Sequence, residues 1–156
     1  MGMIRQFGDG YIAKQVQYFQ QQVELAMKLL LQEFGEELVA FAKDTHTYTD
    51  RTGNLTNSIS YAIVRKKEIL YYNEVQREEA NAAALKVAMK MAESLPDAYS
   101  LIVVAGMNYA AFVESRGYNV ILPAELKAKT DFPKAMQKLM DKAKRKADEL
   151  FGNVLW

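Results

Sequence analysis

Apolar residues recur every three or four positions from Ile12 to Phe41, and no other feature limits the possible folds of this chain as strongly. Ile12, Val16, Phe19, Val23, Ala26, Leu30, Phe34, Leu38 and Phe41 mark one stripe, and Gln15, Gln17, Gln20 to Gln22, Lys28, Gln32, Glu33, Glu36 and Glu37 fill the other side. The spacing predicts an amphipathic helix from about Gly10 to Asp44, roughly 50 Å long at about 1.5 Å per residue. The whole chain has 156 residues, half of them hydrophobic. A compact domain of that length has a radius of gyration of about 15 Å. A helix of this length therefore either lends part of its stripe to another chain or crosses a sheet with frayed ends.

The rest of the sequence reads as alternating strands and helices. Asp44 to Asn57 is polar and carries turn residues, including Thr45, Thr47, Thr49, Asp50, Thr52, Gly53 and Asn54. From Ser58 the period becomes two, with Ile59, Tyr61 and Ile63 alternating with Ser60, Ala62 and Val64 before the basic turn Arg65-Lys66-Lys67. Ile69 to Val75 suits a return strand, although Ile69, Tyr72 and Val75 also fit a helix. Glu78 to Ser94 predicts an Ala-rich helix with Ala80, Ala84, Val87, Met91 and Leu95 on one stripe, closed by Pro96. Tyr99 to Ala105 is the most apolar strand and the expected sheet centre. Tyr109 to Glu114 reads as a short helix or bend, and Asn119 to Leu122 as a last short strand.

After Pro123 a second long helix is expected. Its apolar stripe is Met136, Leu139 or Met140, Ala143, Ala147 and Leu150, and it ends at Phe151-Gly152. Residues 1–10 read as a flexible leader, 11–152 as a single domain, and 153–156 as an apolar tail holding the only Trp. The expected fold class is α+β: a long N-terminal helix and a C-terminal helix packed on a small, mostly antiparallel sheet, with an inserted Ala-rich helix.

Composition narrows the chemistry. Zero Cys excludes disulfides, thiolate zinc sites and a Cys nucleophile. A formal net charge of +1 supplies no global field for nucleic acid or an anionic membrane, and no apolar run is long enough to span a bilayer. Phosphate-binding, zinc-protease and serine-hydrolase motifs are absent. His46 is the sole His; with Asp44 and Asp50 it offers a set of cation ligands in one loop, but a solvated loop residue is the expected reading.

Asp50 resembles part of an aspartic-protease loop, yet Arg51 interrupts the tripeptide and no second such Asp supplies a partner. Turn chemistry explains the segment better: Asp50 caps backbone, Gly53 takes positive φ and Asn54 bonds into the next strand. Asp50 with Glu114 would be the carboxylates of a hydrolase, if a pocket joined them. No catalytic residue, metal or cofactor is expected.

The basic residues concentrate late. Residues 124–156 carry eight Lys/Arg against five Asp/Glu, with Lys134, Lys138, Lys142 and Arg145 on one side of the predicted helix. Such a stripe can track phosphates. Asp141 and Asp148 interrupt it, and no aromatic lies among the lysines to stack a base. Nucleic acid is a possible partner but not the favoured one.

Two segments together carry a resemblance. Asp50-Arg51-Thr52-Gly53-Asn54-Leu55-Thr56-Asn57-Ser58-Ile59 follows the long helix and opens a strand. Later, Tyr109-Ala110-Ala111-Phe112-Val113-Glu114 is followed by Gly117. In order and spacing this resembles the small head-to-tail joining and tail-completion (minor tail, neck) proteins of long-tailed bacteriophages and prophages. That family shares a D-x-T-G-x-L-x-x-S-I pattern and a later Y-A-x-x-V-E-x-x-G turn. The resemblance spans roughly Val16 to Val120. It implies a non-enzymatic virion protein, assembled in the host cytoplasm and then resident at the junction between capsid and tail. The implied partners are other copies in a ring and the phage head-closure and tail-tube proteins.

Ring contacts are heterologous and close by rotation. Phe19, Val23 and Leu30 on the first helix, with Leu155 and Trp156 in the tail, are the candidate interface residues. Trp156 either anchors such a contact or folds back on its own domain or stays disordered.

Overall fold

The computed structural model describes residues 9–75 and 78–155. The elements, in chain order, are α1 (Asp9–Asp44), α2 (Asn54–Asn57), β1 (Ile59–Arg65), β2 (Glu68–Tyr72), α3 (Glu78–Glu93), β3 (Ser100–Ala105), α4 (Ala110–Ser115) and α5 (Leu122–Leu155). The three strands form one antiparallel sheet in the order β2-β1-β3. The fold is α+β, with a long N-terminal helix, a C-terminal helix and a small antiparallel sheet. Two compact units are distinguished: residues 31–132, and the part of the chain that includes α1 up to Leu30 and α5 from Pro133.

In the unit spanning 31–132, β1 is the central strand, and Ile59 to Val64 are buried without interruption. The alternation in β1 therefore does not separate core from solvent, because both faces are covered. Ala62 and Val64, with Ile102 and Val104 of β3, pack against Ala84, Ala88 and Ala92 of α3. On the opposite face, Tyr61 lies against α1 at Gly35, where a methyl group would sit 2.6 Å from Tyr61 Cε2. The Tyr61 hydroxyl donates to Glu36 Oε1 at 2.9 Å. Full burial of each of the larger aliphatic side chains, Val64, Ile102 and Val104, contributes about 1.5–3 kcal/mol.

Several expectations are corrected here. Tyr99 to Ala105 does hold a strand, but β3 is an edge of the sheet and not its centre. Its apolar character comes from helices packed against its faces, a demand that sequence cannot separate from centrality. On α3 the buried stripe is Ala80, Ala84, Ala88 and Ala92, while Val87 and Met91 are 46% and 44% exposed. The small residues face inward because α3 approaches the sheet closely: a methyl on Gly106 would lie 2.9 Å from the Ala80 carbonyl carbon. Residues 119–121 form no strand, and α5 starts at Leu122. Ile69 to Val75 resolves as strand over Glu68–Tyr72. A one-turn helix, α2, interrupts the expected loop.

The β1–β2 hairpin turns on Lys66 and Lys67, which have φ of 52° and 66°. Both therefore take the left-handed conformation that a two-residue hairpin turn requires. In the other unit, Phe19 of α1 meets Phe151 of α5 edge-to-face, with centroids 5.7 Å apart. Met136, Leu139, Ala143, Ala147 and Leu150 are half-buried along α5, whereas Met140 is exposed. The helix does not end at Phe151-Gly152 as expected but runs on to Leu155, so residues 153–155 of the expected apolar tail are helical in backbone. Trp156 and the first eight residues of the expected leader lie outside the described residues, as does the side chain of Leu155. Among the described residues, no helix is long and apolar enough to cross a membrane.

Candidate functional site

The two motif segments meet. Tyr48 and Leu55, flanking and within the first, share one buried cluster with Ala110 of the second and with Val120. Ala105, Met107, Val113 and Ile121 pack around them. The chain closes this cluster with two loops, each organised by one carboxylate.

In the first loop, Asp50 Oδ2 accepts the Thr56 backbone N–H at 2.8 Å. Gly53 has φ of 73°, a conformation that glycine adopts without steric cost. It turns the chain so that the backbone at Gly53, Leu55 and Thr56 converges on the carboxylate. Partial burial alone would raise the Asp50 pKa, but these hydrogen bonds outweigh it and hold the carboxyl below its ordinary range. Thr52 Oγ1 accepts the Asn54 N–H at 3.4 Å. Asn54 opens α2 at this point. Ser58, fully buried, donates from Oγ to the Leu55 carbonyl at 2.7 Å. The Ser58 carbonyl in turn accepts the Gly106 N–H at 3.0 Å, tying the first motif to the end of β3. Ile59 then enters the core with no exposed surface.

In the second loop, Glu114 Oε1 accepts backbone N–H groups from Val120, Ile121 and Leu122 at 3.4, 3.1 and 2.7 Å. These groups lead into α5, whose first residue is Leu122, so the carboxylate sits where the helix dipole favours negative charge. Gly117, with φ of 87°, reverses the chain between carboxylate and amides. This also explains the missing strand at 119–121: the amides it would have used point at Glu114. The two loops are linked directly, since Asn119 N–H donates to Thr47 Oγ1 at 2.8 Å. Tyr48 hydroxyl and Thr56 Oγ1 lie 2.9 Å apart. Burial of Tyr48 raises its phenol pKa.

Asp50 and Glu114 are thus committed to different backbone segments, and neither carboxylate is aimed at a shared cavity by these contacts. His46 stacks on Tyr48 with ring centroids 4.7 Å apart and bonds the Lys43 carbonyl through Nδ1 at 2.5 Å. Among the described residues, no group of three His, Asp or Glu side chains gathers as a metal site would require.

The candidate interface residues are placed less favourably. Phe19, Val23 and Leu30 are half-buried, and Phe19 is engaged by Phe151 of the same chain. The large apolar groups left in solvent are others. On α1 they include Tyr18, Leu25 and Leu29, exposed by 53, 51 and 55%. Around the second motif, Tyr109, which caps the start of α4, is 38% exposed, and Phe112 within α4 is 60% exposed with Arg116 stacked 5.1 Å from its ring centre. Tyr118 is 49% exposed nearby in sequence. A period count assigns one apolar stripe per helix, so these second-face residues escaped it. Their signal was only that they were aromatic or aliphatic and off the stripe.

No protein-family model, curated protein or solved structure matches this chain.

Proposed function

We propose that the protein is a non-enzymatic structural component of a bacteriophage or prophage head–tail junction, acting in tail completion or in the neck. It works through contacts between copies in a ring and with head-closure and tail-tube proteins, and it uses no cofactor. The observation that carries this reading is the convergence of the two motif segments on one buried cluster. Asp50, Gly53, Ser58, Glu114 and Gly117 each serve the backbone of that cluster. Residue types held at these spacings for a structural reason are what a shared assembly fold needs, whereas a hydrolase needs its carboxylates free to meet a substrate. The exposed Tyr109 and Phe112 provide rigid aromatic surface of the kind that anchors protein contacts.

Light scattering across a concentration series, with electron microscopy of the same sample, tests the reading. Discrete oligomers or rings are expected, strengthened by purified tail-tube or head-closure protein. A strict monomer that engages neither partner overturns it. Phe112→Ala should weaken assembly without changing thermal stability.

Nucleic-acid binding through α5 is the second reading, supported by the exposed Lys134, Lys138, Lys142 and Arg145. Other cations of that helix are engaged: Lys127 with Glu37 and Asp131, Lys129 with Glu125, and Lys146 with Glu149. Binding that falls steeply with salt and drops in a Lys138, Lys142 and Arg145 to Gln variant would favour it.

A further inference from the structure

The free edge of β3 is the most unusual surface of the unit spanning residues 31–132. The β1–β3 register pairs Ser60 with Val104, Ala62 with Ile102 and Val64 with Ser100. It continues into the bond from Gly106 N–H to the Ser58 carbonyl. Bonded residues alternate in an antiparallel ladder, so Ser100, Ile102 and Val104 spend their main-chain groups on β1. Those of Leu101, Val103 and Ala105 point the other way, and among the described residues no strand lies there.

This edge is the floor of a mostly apolar trough, whose lining also includes Asn108, Glu114 and Glu125. One cavity of about 540 Å³ covers Ser100 to Val103, and a second of about 350 Å³ covers Val103 to Ala105. They share Met91, Val103 and Ile121, so the trough follows the whole strand, about 20 Å at roughly 3.3 Å per residue. Val87, Met91 and Leu95 of the α3 segment form one wall; Ile121, Ala124 and Ala128 form the other.

Free edges are normally blunted by charge, proline or a bulge. β2, at the opposite edge, begins at Glu68 after Lys66 and Lys67, and its pairing with β1 is broken by a register shift at Ile63/Val64. β3, Ser-Leu-Ile-Val-Val-Ala, has none of these devices. Its walls also leave Val87 and Met91 in water instead of the alanines beside them.

We propose that this trough is a strand-acceptor site, in which an extended apolar segment of a partner protein adds as a fourth strand beside β3. Main-chain bonds to Leu101, Val103 and Ala105 set its register, and its alternate side chains enter the two walls. The occupant is a single extended segment, since helices line both sides of the edge. The proposal goes beyond the head–tail reading and does not need rings or phage partners.

Amide hydrogen exchange on the full chain tests it, with a synthetic peptide of alternating valine and threonine, unrelated to any segment of this chain and bearing a lysine at each end, as the probe. In the free protein, Ile102 and Val104 should be protected, and Leu101, Val103 and Ala105 should exchange rapidly. Saturating peptide should slow the latter three about tenfold or more and leave the former two unchanged. Val103→Pro removes an outward donor without touching the β1 ladder, a position where an edge strand tolerates proline. Met91→Glu charges an exposed wall. Either variant should abolish the peptide effect while Ile102 and Val104 stay protected. Three results would overturn the proposal: no peptide-dependent protection; protection already present at every dilution, meaning the chain covers its own edge; or protection that rises with protein concentration, meaning a second copy does.

Discussion

Lys66 and Lys67 occupy left-handed conformations that cost a residue bearing a Cβ about 1 kcal/mol each. The hairpin accepts this because Arg65 and Glu68, which flank the turn, are paired in the ladder and β1 is buried from Ile59 to Val64. The double variant Lys66→Asn, Lys67→Gly suits the same turn with less strain, and should stabilise the fold by about 1 kcal/mol. A higher urea midpoint with unchanged slope would show it; a lower midpoint would mean the lysines make contacts worth more than the strain. Glu114 is the other residue whose role is sharply defined. Glu114→Gln keeps an acceptor but removes the charge at the start of α5, at an expected cost of about 1 kcal/mol. Glu114→Ala strands three amides and should cost about 2–3 kcal/mol. Equal losses for the two variants would assign the stabilisation to the charge and not to the hydrogen bonds.

Elements depend on close approaches that only small residues permit. Gly106 faces the backbone of α3 at Ala80, and Gly35 faces the Tyr61 ring. A backbone cannot move aside as a side chain can. Gly106→Ala should therefore cost about 2–3 kcal/mol, measured by denaturant unfolding, and more than Gly35→Ala wherever Tyr61 can tilt. The reverse ranking would mean that α3 shifts more easily than the Tyr61 ring.

These contacts also explain what was legible beforehand. α1 was readable to within a residue of its start, because its period is long and its polar face is rich in Gln and Glu. The Asp50 turn and the Gly53 conformation were readable because turn chemistry is local. The inward alanines of α3 were not, since choosing Ala88 over Val87 depends on how near the sheet lies. Nor was the edge position of β3, because burial by helices and burial by strands leave the same apolar run. The union of the two motifs was invisible for the same reason: Asn119 and Thr47 are 72 residues apart.

At the scale of the whole molecule, ionisation sets the pH limits of the fold, and tyrosines govern the alkaline one. Burial raises the phenol pKa of Tyr48, Tyr61 and Tyr72; at Tyr61 the bond to Glu36 raises it further. An unfolded tyrosine releases its proton near pH 10, where these folded ones still hold theirs. Above that point the unfolded state binds fewer protons, so stability is full below about pH 9 and falls as pH rises. The slope is up to about 1.4 kcal/mol per pH unit for each tyrosine. Asp50 acts with the opposite sign: its lowered pKa contributes stability above the unfolded value near 3.9, which is lost as pH falls through the folded value. Urea midpoints from about pH 3 to pH 11 should therefore show a plateau with an acid shoulder and a steep alkaline fall. Tyr61→Phe, which cannot ionise, should flatten the fall by about one tyrosine's share while lowering the neutral plateau through loss of the Glu36 bond. An alkaline limb unchanged in Tyr61→Phe would mean that Tyr61 ionises alike in the folded and unfolded chains, and that the core around Gly35 admits water at high pH.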